Sequence, residues 1–170
     1  GHVLAALEQV RKSHALAPVH AENDAIMNYN EKILRAEGGH SADLISRWRP
    51  AISELEAINR VVFFLEQSGA RGVIVHTSLS DGIRIIENAK QRGVQVYAES
   101  CPQYFYLSEE DLKTKGPWVA SQPPLRAKSE LPKMWECLGN GYVDMIGSDH
   151  ASYQEKEKEE GYRDIWKVFY

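Results

Sequence analysis

The sequence predicts an α/β fold in which four short parallel strands are joined by helices. Short apolar runs alternate along the chain with stretches whose apolar residues recur at helical spacing. Glycine, proline or a polar cluster separates each run from the next. The strand-like runs end in residues that carry chemistry: His20, His76, Glu99 and Ser148-Asp149-His150. Strands joined by helical crossovers form a parallel sheet. The carboxyl ends of such strands are where active sites of parallel α/β proteins are built. Four strand–helix units amount to half of an eight-unit barrel.

The elements follow in order. Residues 3–13 place Val3, Leu4, Leu7 and Val10 at helical spacing. Ala15 to Val19 is a short strand running into His20. A second helix carries Ile26, Met27, Ile33 and Leu34, and Gly38-Gly39 stops it. Residues 39–50 read as a polar loop closed by Arg49-Pro50. Ser53-Glu54-Leu55-Glu56 has the form of a capping box, with Ser at the N-cap and Glu three residues later. The helix it opens presents Leu55, Ile58, Val62 and Leu65 as one stripe, and Gly69 ends it. Gly72 to Val75 is a strand running into His76. Ser80 can cap the next helix, which turns Ile83, Ile86 and Ala89 inward and stops at Gly93.

Val94 to Ala98 is the third strand, ending at Glu99-Ser100. The stretch Cys101 to Lys128, broken by Gly116-Pro117 and Pro123-Pro124, reads as long and irregular, and loops of that length in a compact domain are usually functional. Ser129 can cap a helix with Pro132 in its first turn and Met134, Trp135 and Leu138 on its apolar face. Val143 to Ile146 reads as a buried strand that delivers Asp149. The charge run Glu155 to Glu160 reads as a solvated face. The expected strands are therefore 15–20, 72–76, 94–99 and 143–148, parallel and adjacent in that order.

Composition narrows the classes of function. The chain of 170 residues is 43% hydrophobic and 26% charged, an ordinary globular composition for one domain. No apolar run approaches the ~18 residues of a membrane span, and the N-terminus lacks the pattern of a secretory signal. A net charge of −4 gives no nucleic-acid footprint. Cys101 and Cys137 are too few for a disulfide framework or a cysteine zinc site. The expectation is a cytoplasmic protein with reduced thiols and neither nucleic-acid nor membrane partners.

His20 and His76 are far apart in sequence, so no local metal motif joins them, and each alone reads more readily as a hydrogen-bonded core histidine than as a ligand. Three strand ends bearing His20, His76 and Asp149 favour a divalent metal. Imidazole and carboxylate hold Zn²⁺ while leaving a position for water, whose pKa the metal brings to about 7. Asp149 can also move the proton. Glu99 reads as a supporting acid and Cys101 as a buried structural thiol. His150 points away from Asp149 if both continue the strand. His40 reads as a solvated or lid histidine, and Arg126 as a substrate contact or a loop anchor.

Six motifs recur in order over most of the chain: Val19-His20-Ala21-Glu22-Asn23; Glu54-Leu55-Glu56-Ala57 with Arg60; Val75-His76-Thr77-Ser78; Glu99-Ser100-Cys101-Pro102-Gln103-Tyr104; Pro123-Pro124-Leu125-Arg126; and Gly147-Ser148-Asp149-His150. Together they resemble the dihydropyrimidinase/hydantoinase branch of the cyclic amidohydrolases. The resemblance implies a partial (β/α)8 TIM barrel, with residues 1–170 a single segment, about strands 5–8, incomplete at both ends. It implies a site of two metals, usually zinc, with a carboxylated lysine supplied outside this segment. His20 and His76 would bind one metal, and Asp149 the other. A metal-bridging hydroxide would attack the ring carbonyl, and Asp149 would pass the proton to the leaving nitrogen. The backbone at Gln122 would bind the cyclic amide substrate. The assembly would be a homo-oligomer, in this branch a homotetramer.

The sequence departs from the branch's pattern in two places. Gln122 stands where serine usually precedes Pro-Pro-Leu-Arg, and Ala151-Ser152-Tyr153 follows Asp149-His150 where Cys-Pro is usual. Gln103 and Asn23 favour a hydantoinase over an allantoinase or dihydroorotase. The collapsin-response mediator proteins, non-catalytic assembly proteins of the same fold, typically lack the metal-binding residues that this chain keeps. A segment with no activity of its own is the remaining alternative.

Overall fold

The computed structural model describes residues 2–167. Helix α1 (His2–Lys12) leads into strand β1 (Leu16–Val19), followed by α2 (Asp24–Ala36), α3 (Ile45–Trp48) and α4 (Ala51–Ser68). Then come β2 (Arg71–Ile74), α5 (Ser80–Gln91), β3 (Val96–Ser100), α6 (Gln103–Tyr106) and α7 (Glu109–Lys115). Helix α8 (Leu131–Gly139), strand β4 (Met145–Ile146) and helix α9 (Glu155–Glu160) complete the order. The strands form one parallel sheet in the order β1-β2-β3-β4, as the alternation of apolar runs predicts. Register pairs Val19 with Ile74, Ile74 with Ala98 and Ser100 with Ile146, so the chemistry-bearing ends emerge on one side of the sheet. Among the described residues no helix is long and apolar enough to cross a membrane.

Helices α4 and α5 cover the sheet with the stripes that their spacing predicts. Ile58, Val62, Leu65, Ile83, Ile86 and Ala89 are all buried. A Cβ placed on Gly72 of β2 would lie 2.7 Å from Leu65, so only glycine lets α4 pack this close to the strand. A second core lies beyond β3, where Ile45, Trp48, Cys101, Tyr104, Met134 and Trp166 pack together.

Several local expectations are corrected. Helix α4 begins at Ala51 behind Pro50, three residues before the expected capping box. Ser53 Oγ donates to the Pro50 carbonyl inside the first turn, and Glu56 instead receives Asn23 Nδ2 at 2.5 Å and pairs with Arg60. Pro50 takes the N-cap position in an extended conformation, and its carbonyl accepts the Ser53 N–H at 2.9 Å, so Ser53 lies inside the first turn instead of capping it. Ser80 opens α5 from within its first turn, where Glu130 accepts its backbone N–H and its hydroxyl. Residues 39–50 are not a solvated loop, because α3 buries Ile45 and Trp48. The stretch from Cys101 to Lys128 contains α6 and α7, and a true capping box, Ser108 with Asp111, starts α7. On α8 it is Cys137, not Trp135, that completes the buried face with Met134. Trp135 stays 43% exposed and donates Nε1 to the Phe105 carbonyl.

The largest correction concerns β4. Its paired part is Met145–Ile146, and these residues are 36% and 50% exposed rather than buried. The strand has a neighbour on one side only among the described residues. Asp144 anchors it from below, accepting the Ala98 N–H at 2.7 Å and Lys90 Nζ at 3.1 Å. Strand β1 is the opposite edge, with Leu16 39% exposed.

The polar interior is organised by Glu54 and Arg126. Glu54, 1% exposed, accepts the Ser78 N–H at 2.8 Å, the Ser78 hydroxyl, and Arg126 Nη2 at 2.7 Å. Arg126 also donates Nε to Ser78 Oγ at 2.8 Å and Nη1 to the Arg49 carbonyl at 2.7 Å. Of the two readings of Arg126, loop anchor is therefore the one its bonds describe.

Two outcomes are expected. Arg126→Met leaves Glu54 as an unpaired buried charge and lowers stability by about 3 kcal/mol in urea unfolding; a loss under about 1 kcal/mol would show that the pair is not a structural anchor. The 170-residue chain by itself, with both apolar sheet edges open, self-associates in sedimentation velocity runs; a monodisperse monomer contradicts this.

Candidate active site

The strand ends are stitched together by backbone bonds that continue the ladder. Val75 N–H donates to the Val19 carbonyl at 3.2 Å, Thr77 N–H to Glu99 at 2.8 Å, and Gly147 N–H to Ser100 at 3.0 Å. Ser100 Oγ adds a bond to the Thr77 carbonyl at 2.7 Å. Just past these ties, His76 and Asp149 adopt left-handed backbone conformations, with φ of 41° and 47°. Non-glycine residues pay for that geometry, and such residues concentrate at functional sites. A Cβ at Gly147 would overlap the Glu99 carboxylate, so glycine lets the chain pass Glu99 on its way to Asp149.

This backbone brings His20 and His76 into direct contact. His20 Nδ1 and His76 Nε2 are 2.9 Å apart, with the rings edge-to-face at 4.7 Å between centroids. His76 is buried, and among the described residues its Nδ1 has no hydrogen-bond partner. Burial, followed by the neighbouring His20, pushes the His76 pKa down, and Asp149 only partly opposes this. His76 is therefore a neutral imidazole at neutral pH, the form that binds metals.

On its other side His20 Nε2 lies 3.1 Å from Glu22 Oε2, which also receives Arg49 Nη1. Burial works to raise the Glu22 carboxyl. The hydrogen bond with His20 and the Arg49 charge outweigh it and hold the group below the usual carboxylate range.

The histidines open into a cleft of about 620 Å³, a size that suits a small molecule. Asp149, Ser148, His150 and Gln122 line it, as do Leu107, Trp118 and Tyr153. All four sequence-predicted site residues, His20, His76, Asp149 and Gln122, thus meet at one cavity. As to metal binding, two imidazole nitrogens converge and a carboxylate shares their cleft. Two nitrogens on one tetrahedral zinc sit about 3.3 Å apart, close to the 2.9 Å found here. Among the described residues no three His, Cys, Asp or Glu side chains group tightly enough to hold a metal ion. The donors fit a metal as part of a ligand set.

The remaining candidates separate. His150 lines the cleft together with Asp149, because β4 ends at Ile146 and Asp149 turns left-handed, so the strand alternation that would have separated the two does not reach them. His40 is exposed and lies 3.4 Å from Asp164, away from the cleft. Cys101 is fully buried, and burial, with Asp149 and Glu99 nearby, pushes its thiol up to about 12.

Sequence reasoning missed Glu22, Arg49 and Lys158. Lys158 was expected on a solvated face. Instead its Nζ donates to the Ala120 carbonyl at 3.2 Å, lies 4.9 Å above the Tyr153 ring and lines the cleft, and burial lowers its pKa. Tyr153, an aromatic shortly before the charge run, was the available signal.

Comparison with known proteins adds a second line of observation. No protein-family model matches the chain. It is 32% identical over 168 residues to an L-hydantoinase of Paenarthrobacter aurescens, covering 99% of this chain and 37% of that protein. It is 34% identical over 145 residues to an allantoinase of Bacillus licheniformis, covering 85% of this chain and 32% of that one. Among solved structures, the L-hydantoinase (dihydropyrimidinase) from Arthrobacter aurescens superposes with a TM-score of 0.96 at 32% identity over 99% of this chain and 37% of its own. The dihydropyrimidinase from Brevibacillus agri gives 0.93 at 34% identity over 98% and 37%. The chain thus spans little more than a third of the length of these relatives.

The thiols provide a check on the cleft's surroundings. A thiol at about 12 is ionised to on the order of one part in ten thousand near pH 8. Cys101 and the equally buried Cys137 should resist a disulfide reagent in the native protein and react only in urea. Prompt native labelling of Cys101 would contradict its placement.

Proposed function

We propose that this chain, which sequence and fold relate to the hydantoinase branch of the cyclic amidohydrolases, contributes His20, His76 and Asp149 to a metal-dependent hydrolase that opens cyclic amide rings. The observation that carries the reading is the convergence of His20 Nδ1, His76 Nε2 and Asp149 on one cleft. The relatives named hydantoinase and dihydropyrimidinase support it. Hydantoin and dihydropyrimidine rings are the substrate class.

His20 and His76 would hold the divalent metal, zinc in the favoured reading. Asp149 would stand beside a second metal whose remaining ligands, including a carboxylated lysine, come from outside these residues. When bound, the metals supply a water-derived nucleophile at neutral pH and polarise the amide carbonyl. Asp149 does the proton work: its carboxylate takes the proton from the attacking water and delivers it to the ring nitrogen as the C–N bond breaks. Its left-handed backbone turns the carboxylate toward the cleft instead of continuing the strand. Gln122 offers backbone groups to the cyclic amide, and Trp118 and Leu107 give the same cleft apolar walls against which the ring can pack. A second reading, allantoin as substrate, is favoured by the allantoinase at 34% identity.

In the intact protein, Asp149→Asn preserves the left-handed turn, because asparagine tolerates it, but removes the base. Turnover of hydantoin, dihydrouracil or allantoin should fall by about 10²–10⁴, with the second metal held more weakly and the metal on His20 and His76 retained. His76→Ala should lose both metal and turnover. Unchanged turnover in either variant would sink the reading. Assayed alone, the 170-residue chain should show no hydrolysis, because two histidines and a carboxylate divided between two metals fall short of the three protein ligands of a catalytic zinc.

A further inference from the structure

We infer that Glu22, anchored by Arg49, is a positioning residue that holds His20 with its proton on Nε2 and so presents Nδ1 as the lone-pair donor beside His76. The inference rests on the metal reading of the histidine pair and names what orients one of its ligands.

A neutral imidazole has one N–H and one lone pair, and its hydrogen-bond partner decides which nitrogen carries which. Glu22 Oε2 is 3.1 Å from His20 Nε2, and an ionised carboxylate can only accept. Nε2 must therefore be the donor. The Glu22 side chain is 0% exposed, so its carboxylate meets protein donors and not bulk solvent. Among the described residues its Oε1 makes no hydrogen bond, and Oε2 carries both His20 and Arg49.

Arg49 is fixed in turn. Its guanidinium sits 4.7 Å over the Trp48 ring, and its backbone carbonyl accepts Arg126 Nη1 at 2.7 Å. The carboxylate thus has a rigid support while the His20 side chain itself remains 45% exposed. Among the described residues Glu22 is the partner found on Nε2, so without it the ring is held on its His76 side alone. With Nε2 occupied, the His20 Nδ1···His76 Nε2 contact of 2.9 Å requires His76 to be the donor in the metal-free state. That assignment leaves His76 Nδ1 as a bare acceptor, in keeping with its lack of a partner. Carboxylates that take the outer N–H of a ligating histidine fix its tautomer and raise its basicity.

The alternative is that Glu22 and Arg49 are only a buried ion pair bracing the loop after β1. Two readouts on the intact protein separate these roles. The first is ¹H–¹⁵N NMR of histidine-labelled, metal-free protein. His20 should show a slowly exchanging, hydrogen-bonded Nε2 proton that disappears in Glu22→Ala. The second is a Zn²⁺ titration against a competing chelator. Affinity should fall about 10- to 100-fold in Glu22→Ala and by less in Glu22→Gln, which keeps the shape and an acceptor oxygen and guards against a folding defect. A wild-type His20 protonated on Nδ1, or wild-type affinity in both Glu22 variants while His76→Ala loses the site, overturns this inference alone. Wild-type Zn²⁺ binding in His76→Ala overturns the metal reading and this inference with it.

Discussion

The structure depends on one polar chain, buried from Glu22 onward. It runs from His20 through Glu22 to Arg49, from the Arg49 carbonyl to Arg126, and on through Glu54 to Ser78, two residues beyond His76. Its two ends are the two histidine-bearing strand termini. Hydrophobic packing of α4 and α5 on the sheet holds the strands together, but it is non-directional and does not fix side chains to fractions of an ångström. Charge-assisted bonds with fixed geometry do. The cost is the desolvation of two carboxylates and two guanidinium groups, tolerable because each finds a charged partner.

That chain also explains why the loop after β2 can carry strain, and the backbone ties at β4 do the same for the loop that follows it. His76 holds a left-handed backbone conformation between the Thr77 bond to Glu99 and the grip of Glu54 on Ser78. Asp149 holds one just past the Gly147 bond to Ser100. Each departs from strand geometry at the residue whose side chain must leave the sheet and face the cleft. Bonds on the flanking residues over-determine the turn, which is the condition for strain to persist.

The alternation of strand-like and helical runs was sufficient to read the sheet's order, its parallel sense and the helices that cover it, because those follow from periodicity and short connections. His20, His76 and Asp149 were legible for the same reason: a polar residue directly after an apolar strand lies at the sheet's carboxyl edge. The errors are equally physical. The Ser53 box lost to Pro50 three residues earlier, a competition between two valid local signals. Met145 and Ile146 read as buried because they are apolar, but burial needs a neighbour on each side, and spacing along the chain does not say whether one is present.

What the sequence determined by itself was the parallel α/β sheet and the three residues at its carboxyl edge. Only the tertiary structure decided which nitrogen of each histidine faces the other, that Glu22 and Arg49 stand behind His20, that Arg126 anchors a loop, and that Lys158 leaves its charge run for the cleft. These contacts join residues brought together by sheet register and by helix packing. Local pattern records which face a residue takes, and it carries no information about the partner that meets it there.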